Sequence, residues 1–424
     1  MRRPSTSRPN TSKPSTGKPS TSKHLAAATA AACGLAALAA GLAPTAALAA
    51  HLARAAHPAR AVDSARPTNR PAAAPSPRWR ITGVNDYGDH DTLTSVVAIS
   101  PADAWAGGQA GVPGSRVFLQ HWNGQTWTRA NLPASLRKIS SAQVSGLAAS
   151  SASNVWAFIS GHPAAVARFD GARWSVVREW PGEAFSISGE TFGRRDVWMF
   201  GGIGPQTAGT WHYDGHAWTR PKMPLTAFDV SKVSARDEWA IGERLTRRGS
   251  YAGGVERWNG RTWAVVPTGG LIPSDSATRS TALGQILARS PRSVWVTGTV
   301  YTGGFQHLRS FVLHWNGRKW HRVTGQSDVS IGQAALGGSG LWAVTQHVRL
   351  AEPGYIDPDP RLAFYRPRHR VALVTPSHPG QSLEINALAD IPGTHTAWAA
   401  GGYFTDTMAQ GWVPDGGVIL QRSH

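Results

Sequence analysis

Cysteine is nearly absent from this chain. The one that occurs, Cys33, lies in an Ala-rich stretch near the N-terminus, and none follows it. A disulfide framework, cysteine-ligated zinc and a cysteine nucleophile are therefore excluded from residues 78–424. So is a copper site that needs a cysteine cross-linked to a tyrosine. Acidic residues are few, 25 against 43 Lys and Arg, for a formal net charge of +18. Residues 1–80 hold twelve of the bases and one acid, so eleven of those charges sit there and seven on the rest. A nucleic-acid face needs clustered bases. The only short basic group in the remainder is Arg244 to Arg248, so no nucleic-acid partner is expected. A Gly-rich phosphate loop, a GxSxG elbow and an HExxH helix are also missing.

Tryptophan, by contrast, occurs 19 times. Seven of these end the same short strand pattern: Trp105, Trp156, Trp198, Trp239, Trp295, Trp342 and Trp398, spaced by 51, 42, 41, 56, 47 and 56 residues. A strand-built period of this size is the signature of a β-propeller, whose repeats cannot bury their faces alone. A second block follows most of them: HWNGQTW at 121–127, RFDGARW at 168–174, HYDGHAW at 212–218, RWNGRTW at 257–263 and HWNGRKW at 314–320. Asn-Gly or Asp-Gly between alternating strands predicts a type I′ hairpin turn, with φ > 0 at both central residues. Adding the alternating strand before each tryptophan gives four strands per unit. The sixth unit has Arg366-Pro367 in place of Asn-Gly and Arg370 in place of the second tryptophan. Proline cannot take φ > 0, so that turn is built differently. The seventh unit stops after its third strand, and RWRITGV at 78–84 supplies the missing one. The expectation is an all-β, seven-bladed propeller of four antiparallel strands per blade, closed by the N-terminal strand. Sixteen of the tryptophans are read as packing between blades; Trp180, Trp211 and Trp412 fall outside that framework.

The segment DVWMFGGIGPQTAGTWHYDGHAWTRPKMP at 196–224 resembles a kelch repeat, with its Gly-Gly, its aromatic before a turn, and its later Trp and Met-Pro. AWAGGQ at 104–109 and AWAAGGY at 397–403 repeat the Gly pair, which four of the seven units lack. The resemblance, to the kelch-like and galactose-oxidase-type propellers, implies a scaffold used mostly for binding. It names no ligand.

Residues 1–50 read as a signal peptide, with a basic n-region, an Ala-rich h-region and the small-residue site Ala47-Leu48-Ala49. The apolar stretch has nearly the length of a membrane span, but it is mostly Ala and contains Pro44. No membrane insertion is expected after cleavage. Residues 51–77, rich in Ala, Pro and Arg, read as a disordered linker, and 78–424 as the propeller. The expected location is secreted or associated with the cell wall, and the expected state monomeric.

Propeller geometry puts tight turns on one face and, on the other, the second-to-third-strand loops, expected at 108–116, 242–254, 298–309, 345–360 and 401–416. Binding residues concentrate on long loops carried by a rigid scaffold. The candidates there are Arg247, Arg248, Tyr251, Tyr301, Phe305, His307, Tyr355, Tyr403, Phe404 and Trp412, a mix suited to sugar rings or protein hot spots. Two acidic groups offer oxygens of the kind calcium takes: Asp86, Asp89 and Asp91 (with His90), and Asp357 and Asp359 (near Glu352). Their spacing does not match an EF-hand loop, and solvated or proline-stiffened loops are the plainer reading, so no cofactor is expected. Along the channel the inner strands present Gln143, Asp229, Gln285, Gln333, Glu384 and Asn386. Glycoside hydrolysis needs a carboxylate pair, and Asp229 with Glu384 is the only such candidate, against a hydrogen-bonded polar channel. The primary expectation is a non-catalytic module that binds an extracellular glycan or protein through the loop face. The alternative is an extracytoplasmic carbohydrate-active enzyme using those two carboxylates.

Overall fold

The computed structural model describes residues 79–422 except 86, 88–89, 112–114, 181–186, 202–207, 248, 304–305, 348–360, 368, 375–381 and 405–414. The expected signal peptide and linker lie outside the described residues. Seven antiparallel sheets of four strands each make up the structure. Blade 1 runs from Thr92–Ser100 to Trp127–Arg129, blade 2 from Ser140–Ser151 to Trp174–Trp180, and blade 3 from Ser188–Gly193 to Trp218–Thr219. Blade 4 runs from Thr226–Ser234 to Trp263–Val266, blade 5 from Arg279–Ser290 to Trp320–Ser327, and blade 6 from Val329–Gly337 to His369–Val374. Blade 7 takes Ser382–Asp390, Ala397–Phe404 and Gly416–Arg422 from the C-terminus and Trp79–Asn85 from the N-terminus. The closing strand pairs with Gly416–Arg422, from Trp79 opposite Arg422 to Asn85 opposite Gly417. The innermost strands touch in chain order, and that of blade 7 touches that of blade 1, so the ring is closed. No helix among the described residues is long and apolar enough to cross a membrane.

The tryptophans hold the seams between blades. At six seams an outer-strand indole meets the second-strand indole of the preceding blade edge-on. The pairs are Trp174–Trp105, Trp218–Trp156, Trp263–Trp198, Trp320–Trp239, Trp79–Trp342 and Trp127–Trp398, with centroids 5.2 to 6.3 Å apart. Edge-to-face geometry places the positive ring edge on the negative face of its partner. The seam between blades 5 and 6 has no such pair, because Arg370 stands where the outer tryptophan would. There the fully buried Tyr365 shares a core with Trp295, Val312 and Ile331. Trp180 and Trp211, outside the expected framework, pack on each other at 6.3 Å, and Trp180 also meets Trp218.

A polar clip that sequence inspection missed accompanies each of five second-strand tryptophans. The residue two before the Trp bonds the third-strand residue opposite it, and that residue lies on the indole. His121 bonds Asp103 at 2.8 Å and stacks on Trp105; His212 bonds Asp196 at 3.0 Å beside Trp198. Arg168 bonds Asn154, Arg257 bonds Asp237, and His314 bonds Ser293 in the same way. The polar residue two before the tryptophan thus holds a His or Arg that also lies on the ring face, a cation over the indole where it is Arg168 or Arg257.

Two expectations are corrected. In the Asn-Gly and Asp-Gly turns only the glycine has positive φ, for example 93° at Gly124 and 102° at Gly171. They are four-residue turns, not two-residue type I′ turns. Asn123 Oδ1 accepts from the amides of Gln125 and Thr126, and Asp170, Asp214, Asn259 and Asn316 do the same. The side-chain acceptor satisfies amides that a tighter turn would have paired across the strands. The second-to-third-strand loops are also shorter than expected, because cross-strand pairing continues further. Leu245 pairs with Tyr251 and Thr302 with His307, leaving only 246–250 and 303–306 as loops.

Candidate functional site

On the loop face, blades 4 and 5 bring several groups together. The hairpin end of blade 4 is tied by Thr246: its amide donates to the Ser250 carbonyl at 2.8 Å, and the two hydroxyls bond at 2.9 Å. That rigid tip projects Leu245, 62% exposed, with exposed Arg244 and Arg247 beside half-buried Tyr251. Among the described residues Leu245 is the most exposed of the large hydrophobic side chains, and it is aliphatic where the sequence candidates are aromatic or basic. Tyr251 accepts the Asp275 amide through its carbonyl, joining the tip to the crossing into blade 5.

Beneath the tip lies a carboxylate pair. Burial raises Glu243 to about 7, and the charge of Asp275 adds to this. Burial also raises Asp275, against hydrogen bonds from the Thr281 amide at 2.7 Å and the Ser280 side chain. Two carboxylates sharing poor solvation hold a proton near neutral pH.

The other described loop-face candidates do not join this group. Tyr301 is 8% exposed and packs on Leu308, and burial raises its phenol. His307 is exposed at the end of its strand. Tyr403 and Phe404 belong to blade 7, which is not a neighbour of blade 4 or 5; Phe404 is buried, and the Tyr403 carbonyl takes the Asp415 amide at 2.9 Å. Arg248, Phe305, Tyr355 and Trp412 lie outside the described residues, as do Asp86, Asp89, Asp357 and Asp359. Asp91 is fully buried and accepts the Tyr87 amide, a structural bond. Among the described residues no group of three His, Cys, Asp or Glu is placed to hold a metal ion.

In the channel, Asp229, Gln285 and Asn386 serve as struts between blades. Asp229 takes the Val230 amide on Oδ1 at 2.9 Å and the Ile286 amide of the next blade on Oδ2 at 2.8 Å. Gln285 repeats that link one blade further on, its Oε1 accepting the Ala334 amide at 2.5 Å. Burial raises Asp229 to about 7, against those two amide bonds. Glu384 is also raised by burial, against a hydrogen bond with Asn386, whose amide group reaches the Leu93 carbonyl of blade 1 at 3.2 Å. The partner that couples to Asp229 is a residue the sequence reading missed. Glu190 is driven well above the ordinary carboxylate range, first by burial and then by the charge of Asp229. The side chains of Glu190, Asp229 and Glu384 keep partial contact with solvent along the axis, yet protein crowds them on most sides. Glu190 stands opposite Trp198 as Ser231 stands opposite Trp239. The residues paired opposite the seven repeat tryptophans are Val97, Ala148, Glu190, Ser231, Leu287, Ala335 and Ala389, and only Glu190 is charged.

The chain is a seven-bladed β-propeller of four-stranded blades. No protein-family model and no curated protein sequence matches it. Solved structures resemble it in fold. One described as YCF48 bound to D1 peptide is 14% identical, covering 82% of this chain and 98% of its own, with a TM-score of 0.46. The SapL1 lectin in complex with alpha methyl fucoside is 14% identical over 68% of this chain and 97% of its own, TM-score 0.42. The GH74 enzyme of Niastella koreensis is 12% identical over 78% of this chain and 54% of its own, TM-score 0.50. At such identities the likeness speaks for the fold alone.

Proposed function

We propose that the protein is an exported, kelch-like recognition module that binds an extracellular partner through the loop face without transforming it. The supporting observation is the hydrogen-bonded tip of blade 4, which holds Leu245 out in solvent between Arg244 and Arg247. An exposed aliphatic flanked by guanidiniums on a pre-ordered hairpin is a protein-type anchor, since rigid presentation lowers the entropy cost of binding. A projecting tip suits a groove on a protein better than it suits a sugar ring, so a protein partner with an acidic rim is favoured over a glycan. The hydrolase reading on Asp229 and Glu384 has less support, because both oxygens of Asp229 already accept backbone amides.

Sedimentation of the purified protein with cell-envelope fractions tests this. Binding is expected, and is expected to be lost after protease treatment of the envelope and in the Leu245→Asp/Arg247→Glu variant. Binding that survives protease but not periodate would point to a glycan instead. Release of reducing ends from envelope glycans, abolished by Glu384→Gln, would establish the enzyme.

A further inference from the structure

Blade 6 departs from the repeat beside its tryptophan as well, on the face opposite the loops. Two residues before the repeat tryptophan, the other blades carry Asp103, Asn154, Asp196, Asp237, Ser293 and Thr396; blade 6 carries Gly340. A Cβ at Gly340 would stand 2.2 Å from the Tyr365 carbonyl oxygen, so no side chain fits there. Opposite the tryptophan, where five blades have His or Arg, blade 6 has Phe364. The exchange runs both ways across the seam. Phe169, Tyr213, Trp315 and Trp122 each lay a ring beside the tryptophan of the preceding blade. The residue of blade 7 at that position is Arg422, whose guanidinium lies 4.4 Å from the Trp342 ring centroid.

A cavity of about 410 Å³ opens at this seam. Gly338, Ser339, Phe364, Arg366, His395 and Arg422 are among the residues that line it, and no Asp or Glu does among the described residues. Arg422 spends one donor on the His395 carbonyl at 3.3 Å, and burial lowers its pKa. Its other donors, and those of exposed Arg366, have no protein acceptor among the described residues. Each guanidinium is seated against a ring, Arg366 over Phe364 at 6.0 Å and Arg422 over Trp342. The Arg422 fork is therefore held in place, which favours bidentate contact with a planar anion, and Arg366 lines the same cavity as a second donor. The volume far exceeds a lone carboxylate, and the remaining wall is mostly carbon, from aromatic edges, glycine backbone and arginine stems. Walls of that kind take the C–H surface of a ring.

We propose that the seam between blades 6 and 7 binds a uronate-type acidic sugar unit, its carboxylate held by Arg422 and Arg366 and its ring in the cavity that Gly338, Ser339 and Phe364 line. This site lies on the turn face and does not depend on the loop-face tip.

Calorimetric titration of the full chain with glucuronate, glucose and inorganic phosphate tests it. Glucuronate is expected to bind with a Kd below about 1 mM, glucose not at all, and phosphate more weakly than glucuronate. Arg366→Gln, an exposed position where the fold is not at risk, and Arg422→Gln are each expected to weaken glucuronate about tenfold or more. Leu245→Asp should leave it unchanged. The proposal is overturned if glucuronate gives no binding, if glucose binds as well, if phosphate binds as tightly, or if neither arginine variant weakens the complex.

Discussion

Carboxylates buried between blades tie the stability of this protein to pH. Burial raises Glu256 to about 7, against the Leu225 amide that donates to its Oε1 at 3.1 Å; Asp229 and Glu243 reach about the same value. A carboxyl raised in the folded state stabilises fully below its unfolded pKa, near 4. That contribution is lost as pH rises through the folded value near 7. The melting temperature is therefore expected to fall between pH 5 and pH 8, as calorimetry at both ends would show. Glu256→Gln removes the charge and keeps the acceptor for Leu225. It is expected to raise the melting temperature at pH 8 by roughly 2–5 °C and to leave it unchanged at pH 5. Blade 1 already holds an amide on the corresponding rung: the fully buried Gln120 faces Ala106 as Glu256 faces Ala240. In the channel, Asp229→Asn is expected to lower the pKa of Glu190, read from its carboxyl chemical shift through a pH titration. An unmoved Glu190 would show that burial alone sets its value.

At the scale of the element, six of the seven outer strands open on an indole. The outer strand of blade 3 is only Trp218–Thr219, yet Trp218 meets Trp156, Trp180 and Tyr213. Trp174→Ala removes a 4%-exposed ring from the core that joins blades 1 and 2, and about 3–5 kcal/mol of stability is expected to go with it. Val177→Ala, three residues along the same strand and 38% exposed, is expected to change stability by less than about 0.5 kcal/mol. Chemical denaturation of the two variants compares them directly. These indoles were legible as packing residues because they recur at fixed places. The clips were not, because Asp103 or His121 alone looks like any surface polar residue until the strands pair.

For the whole molecule, stability rests on closing the ring. The strand Trp79–Asn85 covers the edge of Gly416–Arg422 through six residue pairs, and Trp79 reaches across to Trp342 of blade 6. A chain shortened through Asn85 leaves that edge unpaired and removes an indole from the last seam. It is expected to melt at lower temperature and to aggregate, as scanning calorimetry and light scattering would show, because an open edge pairs with other chains. Closure also decides which faces exist. The loop face carries the Leu245 tip, and the turn face carries the cavity at the one blade that breaks the repeat.

Periodicity by itself determined the architecture: seven tryptophans at intervals near those of a propeller blade, Asn-Gly and Asp-Gly turns, and a first strand matching the missing last one. Such signals are local, because a strand alternation or a turn residue acts within a few positions. What only the tertiary structure decided is which distant residues meet. Glu190 gains its meaning from Asp229 in the next blade, and Glu243 from Asp275 across a seam. Arg422 gains its meaning from Trp342 in the neighbouring blade, and Trp79 from the same ring, which it meets only once the chain has wound around. Burial and charge coupling depend on distance in space, and a sequence carries no measure of that distance until the sheets pack.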